Sequence, residues 1–133
     1  MKLAAIPILL VGLILGCSST GTVNSEQLKY TQWQLSHVDG QVVPPSYSAS
    51  LSFIDALQVN GFAGCNKFFG EGALRNNRLK VNKLGMTRKS CGEQLDQFEL
   101  QLLNVLKNGV NVKIDSGQLI FNSEQTFVFI PAS

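Results

Sequence analysis

The chain has 133 residues, the length of one domain. Eleven Lys plus Arg against nine Asp plus Glu give a net charge of +2, without the basic excess of a nucleic-acid binder. Apolar residues make up 44% and charged ones 15%, which excludes a disordered or collagenous chain. His37 is the only histidine, so a three-His zinc site is excluded and a His-based catalytic triad would have to use that residue.

Met1-Lys2 forms a short positive start. Leu3 to Leu15 is apolar except for Pro7 and Gly12. As a helix this run would span roughly 20 Å, short of the ~30 Å hydrocarbon core of a bilayer, so it reads as the apolar region of a signal peptide. It ends in Ile14-Leu15-Gly16-Cys17, which resembles the bacterial lipobox, with Leu15 bulkier than the usual Ala or Ser. That resemblance implies a diacylglyceryl group on the Cys17 sulfur, cleavage after Gly16 and acylation of the new amine. At about 0.8 kcal/mol per buried methylene, three acyl chains would anchor the protein permanently. Ser18 and Ser19 stand where an inner-membrane retention signal would carry Asp. The expected location is therefore the periplasmic side of the outer membrane of a Gram-negative bacterium. Residues 1–16 read as the signal peptide and 17–27 as a lipidated flexible tether spanning roughly 16–19 Å. Losing Lys2 leaves the mature chain at +1.

Tyr30 to Val38 alternates, with Trp33 and Leu35 on one face, and reads as a strand ended by Asp39-Gly40. Pro44-Pro45 then breaks any ladder. Leu51 to Phe53 and Ala56 to Asn60 predict two short strands. Gly70 to Leu74 and Leu79 to Val81 predict a hairpin turning at Asn76-Asn77, because Asn tolerates the left-handed region. Over Glu93 to Lys107 the period changes: Leu95, Phe98, Leu102, Val105 and Leu106 form one apolar helix face, with Gly109 as C-terminal cap. Val110 to Ile114, Gln118 to Asn122 and Gln125 to Ile130 predict three more strands, and Phe121, Phe127 and Phe129 read as core. No βαβ alternation occurs, which argues against a parallel sheet. The expected class is α+β, mostly β. Residues 28–133 would form a curved antiparallel sheet or partly open β-barrel with one packed α-helix.

With Cys17 lipidated, Cys65 and Cys91 are the remaining thiols in an oxidising compartment and are expected to pair. Closing that loop stabilises by about 3.5 kcal/mol on the chain-entropy estimate. The alternative is two free thiols. A redox role lacks a Cys-x-x-Cys, and a metal site using distant His37 lacks the usual close spacing.

Gly61-Phe62-Ala63-Gly64-Cys65-Asn66-Lys67-Phe68, then Gly70-Glu71-Gly72, Met86-Thr87 and Cys91, resemble the META domain, particularly its heat-shock lipoproteins. The resemblance extends from about Leu28 to Ile130. It implies a small β-rich domain with one helix and a link to heat stress and novobiocin resistance; no enzymatic activity is implied, no catalytic residues carry over, and no cofactor is expected.

Three features are candidates for function. The Gly-Cys-Asn loop could hold a ligand on its backbone amides, or Gly61 and Gly64 could serve unusual dihedrals while Asn66 closes a turn. Arg75, Arg78, Lys80, Lys83, Arg88 and Lys89 place six cations in fifteen residues with no acid among them. They form either a solvated face or a contact with anionic lipid or an envelope polyanion. His37 stands alone, and neither a Gly-x-Ser-x-Gly nor a phosphate-binding glycine motif is present. The reading is a non-catalytic binding or interaction module with an unidentified protein partner. The alternatives are a carrier holding an acyl chain in a half-open barrel, and a hydrolase.

Overall fold

The computed structural model describes residues 2–5, 7, 12 and 21–132. Cys17, the expected lipidation site, and most of the expected signal peptide lie outside them. No helix among the described residues is long and apolar enough to cross a membrane.

The first element is a single turn of helix, α1 (Ser25–Leu28). Asn24 caps it by accepting from the Gln27 N–H, while the Gln27 side chain accepts from the Asn24 N–H. Val23 and Leu28 on either side are buried in the core. The packed domain therefore begins within the stretch expected as tether, because a single helical turn in a polar segment carries no apolar period.

Nine strands follow: β1 (Thr31–Val38), β2 (Gln41–Val42), β3 (Ser50–Phe53), β4 (Gln58–Phe62), β5 (Lys67–Arg75), β6 (Arg78–Met86), β7 (Val110–Asp115), β8 (Gln118–Asn122) and β9 (Thr126–Pro131). The long helix α2 (Glu93–Asn108) lies between β6 and β7. All neighbouring strands are antiparallel. The order is β2-β1-β3-β4-β5-β6-β7-β8-β9, and β1 also pairs with β9. Eight strands thus form a closed barrel, with β2 as a short flap on β1. The expected opening is reduced to one weak seam, where β6 and β7 share only Arg78↔Asn111 and Leu79↔Val110. The chain leaves that seam to build α2, which packs along β6.

Alternation along the strands sends one set of side chains inward. Trp33, Leu35, Leu51, Phe53, Val59, Phe68, Leu79, Val81, Phe121, Phe127 and Phe129 are all buried. The antiparallel order defines two rims. One carries α1, the Phe53–Gln58 connection, the Asn76-Asn77 turn, the Ser116-Gly117 turn and the end of β9. The other carries Asp39-Gly40, Ala63–Asn66, Thr87–Gly92 and Ser123–Gln125.

Two local readings change. The second predicted strand starts at Gln58 rather than Ala56, because Asp55–Leu57 is a tight 3₁₀ turn. Ala56 and Leu57 there have φ of 52° and 57°, a left-handed passage that no glycine announces. On α2 the buried stripe is Glu99, Leu102, Leu103 and Leu106, while Leu95, Phe98 and Val105 are half-buried. The helix is rolled relative to the expected face so that a carboxylate points inward.

Candidate functional site

The Gly-Cys-Asn segment is the bend between β4 and β5. Gly64, at φ 102°, makes that bend. Gly61 does not: it lies in β4 opposite Phe68, and a Cβ there would collide with the Phe68 ring inside the barrel and with the Ser50 carbonyl. The two glycines thus serve different ends, one conformational and one steric.

Asn66 is nearly fully buried and organises the bend. Its backbone N–H donates to Glu99 Oε2 at 2.6 Å, and its Nδ2 donates to Glu99 Oε1 at 2.7 Å and to the Lys89 carbonyl at 2.9 Å. Its Oδ1 accepts from the Thr87 hydroxyl and the Lys89 N–H, both at 2.9 Å. Thr87 Oγ1 in turn accepts from the Lys67 N–H at 3.1 Å. Three of the bend's amides are therefore spent on the protein itself: Ala63 N–H bonds the Asn66 carbonyl, and those of Asn66 and Lys67 are taken as above. This arrangement holds three segments in register and favours the structural reading of the motif over ligand capture by these amides.

Cys65 and Cys91 are bonded, with a Cα separation of 5.8 Å. The bridge ties the bend to the segment entering α2. There Asp96 accepts from the Cys91 N–H at 2.9 Å and from the Ser90 hydroxyl. These two bonds, the backbone one foremost, hold the Asp96 carboxyl below its ordinary pKa.

The six cations do not form one patch. Arg75 and Arg78 face each other across the hairpin end, with Lys80 next along the same outward face. Arg78 also donates to the Asn108 carbonyl at 3.2 Å, at the negative end of α2. Lys83 sits at a bulge with φ 50° and pairs with Glu71 at 3.4 Å, an acid supplied by the neighbouring strand that the sequence window did not include. Arg88 and Lys89 lie at the opposite rim, where they join Lys67, Phe62, Thr87 and Cys65 around a cleft of about 330 Å³. Lys67, outside the window, is the cation sequence reasoning missed; its place directly after Asn66 was the available signal.

A larger cleft of about 490 Å³ runs between the second half of α2 (Gln101, Asn104, Val105, Asn108) and Ser123–Gln125. Beside it Tyr47 packs on Phe98, with ring centroids 5.0 Å apart. These spaces are open to solvent. The Phe53, Phe68, Phe121, Phe127 and Phe129 rings are all buried in the barrel, which favours a packed core over the lumen of a half-open carrier. His37 Nδ1 lies 2.9 Å from Ser36 Oγ, but that hydroxyl donates to the Val128 carbonyl and the Asp39 carboxylate accepts from the Thr126 N–H. The three residues do not make a relay.

The META domain as a sequence family matches residues 26–133, and the chain belongs to that family. Among characterised relatives it is similar to heat shock protein HslJ of Escherichia coli (strain K12). The two are 32% identical over 134 residues, covering 97% of this chain and 95% of the relative. Two solved NMR structures share the fold. One has a TM-score of 0.72 at 31% identity, covering 82% of this chain and 95% of its own. The other, from Burkholderia xenovorans, has a TM-score of 0.66 at 27% identity, covering 81% and 86%.

Proposed function

We propose that this protein is a lipid-anchored envelope protein of the heat-stress response, acting by binding or interaction rather than by catalysis. The observation that carries this is the match to heat shock protein HslJ along nearly the full length of both chains. The Ile14-Leu15-Gly16-Cys17 ending of a short apolar leader supports the anchor, with Cys17 as its acylated residue and the outer membrane, periplasmic side, as its location. The non-catalytic reading is supported by the commitment of Asn66, Thr87, Ser36 and Asp39 to structural hydrogen bonds. Anionic lipid is the proposed surface partner of the exposed cations, alongside an unidentified protein.

The test is genetic and chemical together. A strain lacking the protein should survive heat shock less well and become more sensitive to novobiocin. The wild-type chain should restore both and Cys17→Ser should not. Membrane fractionation and intact mass should give an acylated chain beginning at Cys17 in the outer membrane. A soluble mature chain without acyl mass, or a deletion strain with unchanged heat and drug tolerance, rejects the proposal.

A further inference from the structure

We infer that the rim bearing α1 is the face that rests on an anionic bilayer, seated by Arg75, Arg78 and Lys80 with Tyr30 and Ile54 beside them. This deepens the anchored reading of Cys17 and rests on it. Its starting point is the place where the chain enters the fold. The Val23 N–H donates to Asn77 Oδ1 at 2.8 Å, so the N-terminal segment is pinned to the tip of the β5–β6 hairpin. Only five residues lie between Cys17 and Val23, and fully extended the six steps reach at most about 20 Å. An anchor at Cys17 therefore draws this rim, and not the opposite one, to the membrane.

The side chains at the rim fit such a surface. Arg75 and Arg78 are directly opposed and exposed, a like-charge pair; the Asn108 carbonyl relieves Arg78 in part, and nearby anions would relieve the repulsion that is left. Tyr30 is 72% and Ile54 37% exposed, immediately beyond the Thr31↔Phe53 pair that joins β1 to β3. An exposed tyrosine beside cations suits the headgroup layer, where its ring is apolar and its hydroxyl wet. Among the acids of the same rim, Glu26 is paired with a cation, Lys29, at 3.2 Å. Asp55 accepts from the Ala56 N–H and Asp115 from the Ser116 hydroxyl; both keep their charge and are outnumbered by Arg75, Arg78 and Lys80.

The second cationic group, Lys67, Arg88 and Lys89, lies at the far end of β5. The nine residues of β5 span roughly 26 Å at strand rise. That is several times the Debye length of about 8 Å at physiological ionic strength. The two groups cannot both touch one bilayer, so only the tip group is assigned to lipid.

The test uses the isotope-labelled mature lipoprotein in nanodiscs of phosphatidylethanolamine and phosphatidylglycerol containing a lipid with a spin-labelled headgroup. The amide signals of Asn76, Asn77 and Arg78 should broaden several-fold more than those of Arg88, Lys89 and Ser90. The contrast should shrink in discs of phosphatidylcholine alone, in high salt, or when Arg75 and Arg78 are both changed to Glu; changing Arg88 and Lys89 to Glu should leave it intact. Equal broadening at the two rims, stronger broadening at Arg88 to Ser90, or indifference to anionic lipid overturns the inference. A chain that carries no acyl group and is not retained by the discs rejects the anchor reading instead. The same comparison is then made on that chain coupled through the Cys17 thiol to a maleimide lipid, so the orientation of the rim stands or falls on its own.

Discussion

Asn66 donates two hydrogen bonds, one from the backbone and one from the side chain, to the two oxygens of Glu99, a residue 33 positions later on α2. Both residues are buried. The pair fixes the position of the helix against the β4–β5 bend independently of the disulfide. Glu99→Ala leaves two buried N–H donors without an acceptor and should cost about 3 kcal/mol. Glu99→Gln should lose nearly as much, since its amide must turn an NH₂ towards one of those donors. Urea unfolding of each variant measures this, and a loss below about 1 kcal/mol would contradict the geometry.

Reduction of the Cys65–Cys91 bridge should lower stability by up to about 3.5 kcal/mol and the melting temperature by on the order of 10 °C. The fold should survive at room temperature, because the Asn66–Lys89 bonds span the same two segments. Calorimetry with and without reductant gives the shift, and unchanged melting would contradict the expectation.

Gly61→Ala should destabilise by at least about 2 kcal/mol, because its Cβ meets the Phe68 ring and the Ser50 carbonyl. Combined with Phe68→Leu, the loss should be less than the sum of the two single changes, since the smaller side chain relieves one of the collisions. Additive losses would mean that the strand backbone, rather than the ring, dominates the penalty.

On α2, Leu102→Ala and Leu106→Ala should each cost about 2–5 kcal/mol as full core truncations. Phe98→Ala should cost less, about 1–2 kcal/mol, because Phe98 is half-buried and leans on Tyr47 at the surface. The order of the three unfolding midpoints checks the roll of the helix.

Asp96 makes an acid-side contribution. Its folded pKa is depressed by the Cys91 N–H and the Ser90 hydroxyl. Its stabilisation is therefore fully present above the unfolded-state value near 3.9 and is lost as pH falls through the lower folded value. Asp96→Asn should flatten the melting-temperature profile in that acid window and leave its shape above about pH 5 unchanged. Thermal melts across pH 2 to 7 test this.

The sequence announced the features that rest on local chemistry. Asn76-Asn77 gave the hairpin turn, with φ of 50° and 62° in the structure, and the apolar period gave α2 to within one residue. What stayed hidden depends on partners distant in the chain. Glu99 counts as polar in any helical pattern, and only the donors of Asn66, 33 positions earlier, make its burial tolerable. The six cations read as one patch because β6 was taken alone; Glu71 on β5 and the length of the strand divide them. Closure of the barrel was likewise illegible, since the pairing of Trp33 with Pro131 leaves no trace in either segment.

That closure shapes how the protein must assemble. Apart from the β6–β7 seam and the β1–β9 ladder, the ladders join strands close in sequence, so the meander can grow hairpin by hairpin. The β1–β9 ladder joins segments roughly ninety residues apart and can form only when the intervening sheet has curled far enough to bring its two edges together. Until then two unpaired strand edges are available to other chains. For this member of the META family that closure makes the last step of its own folding the one most exposed to aggregation when the temperature rises.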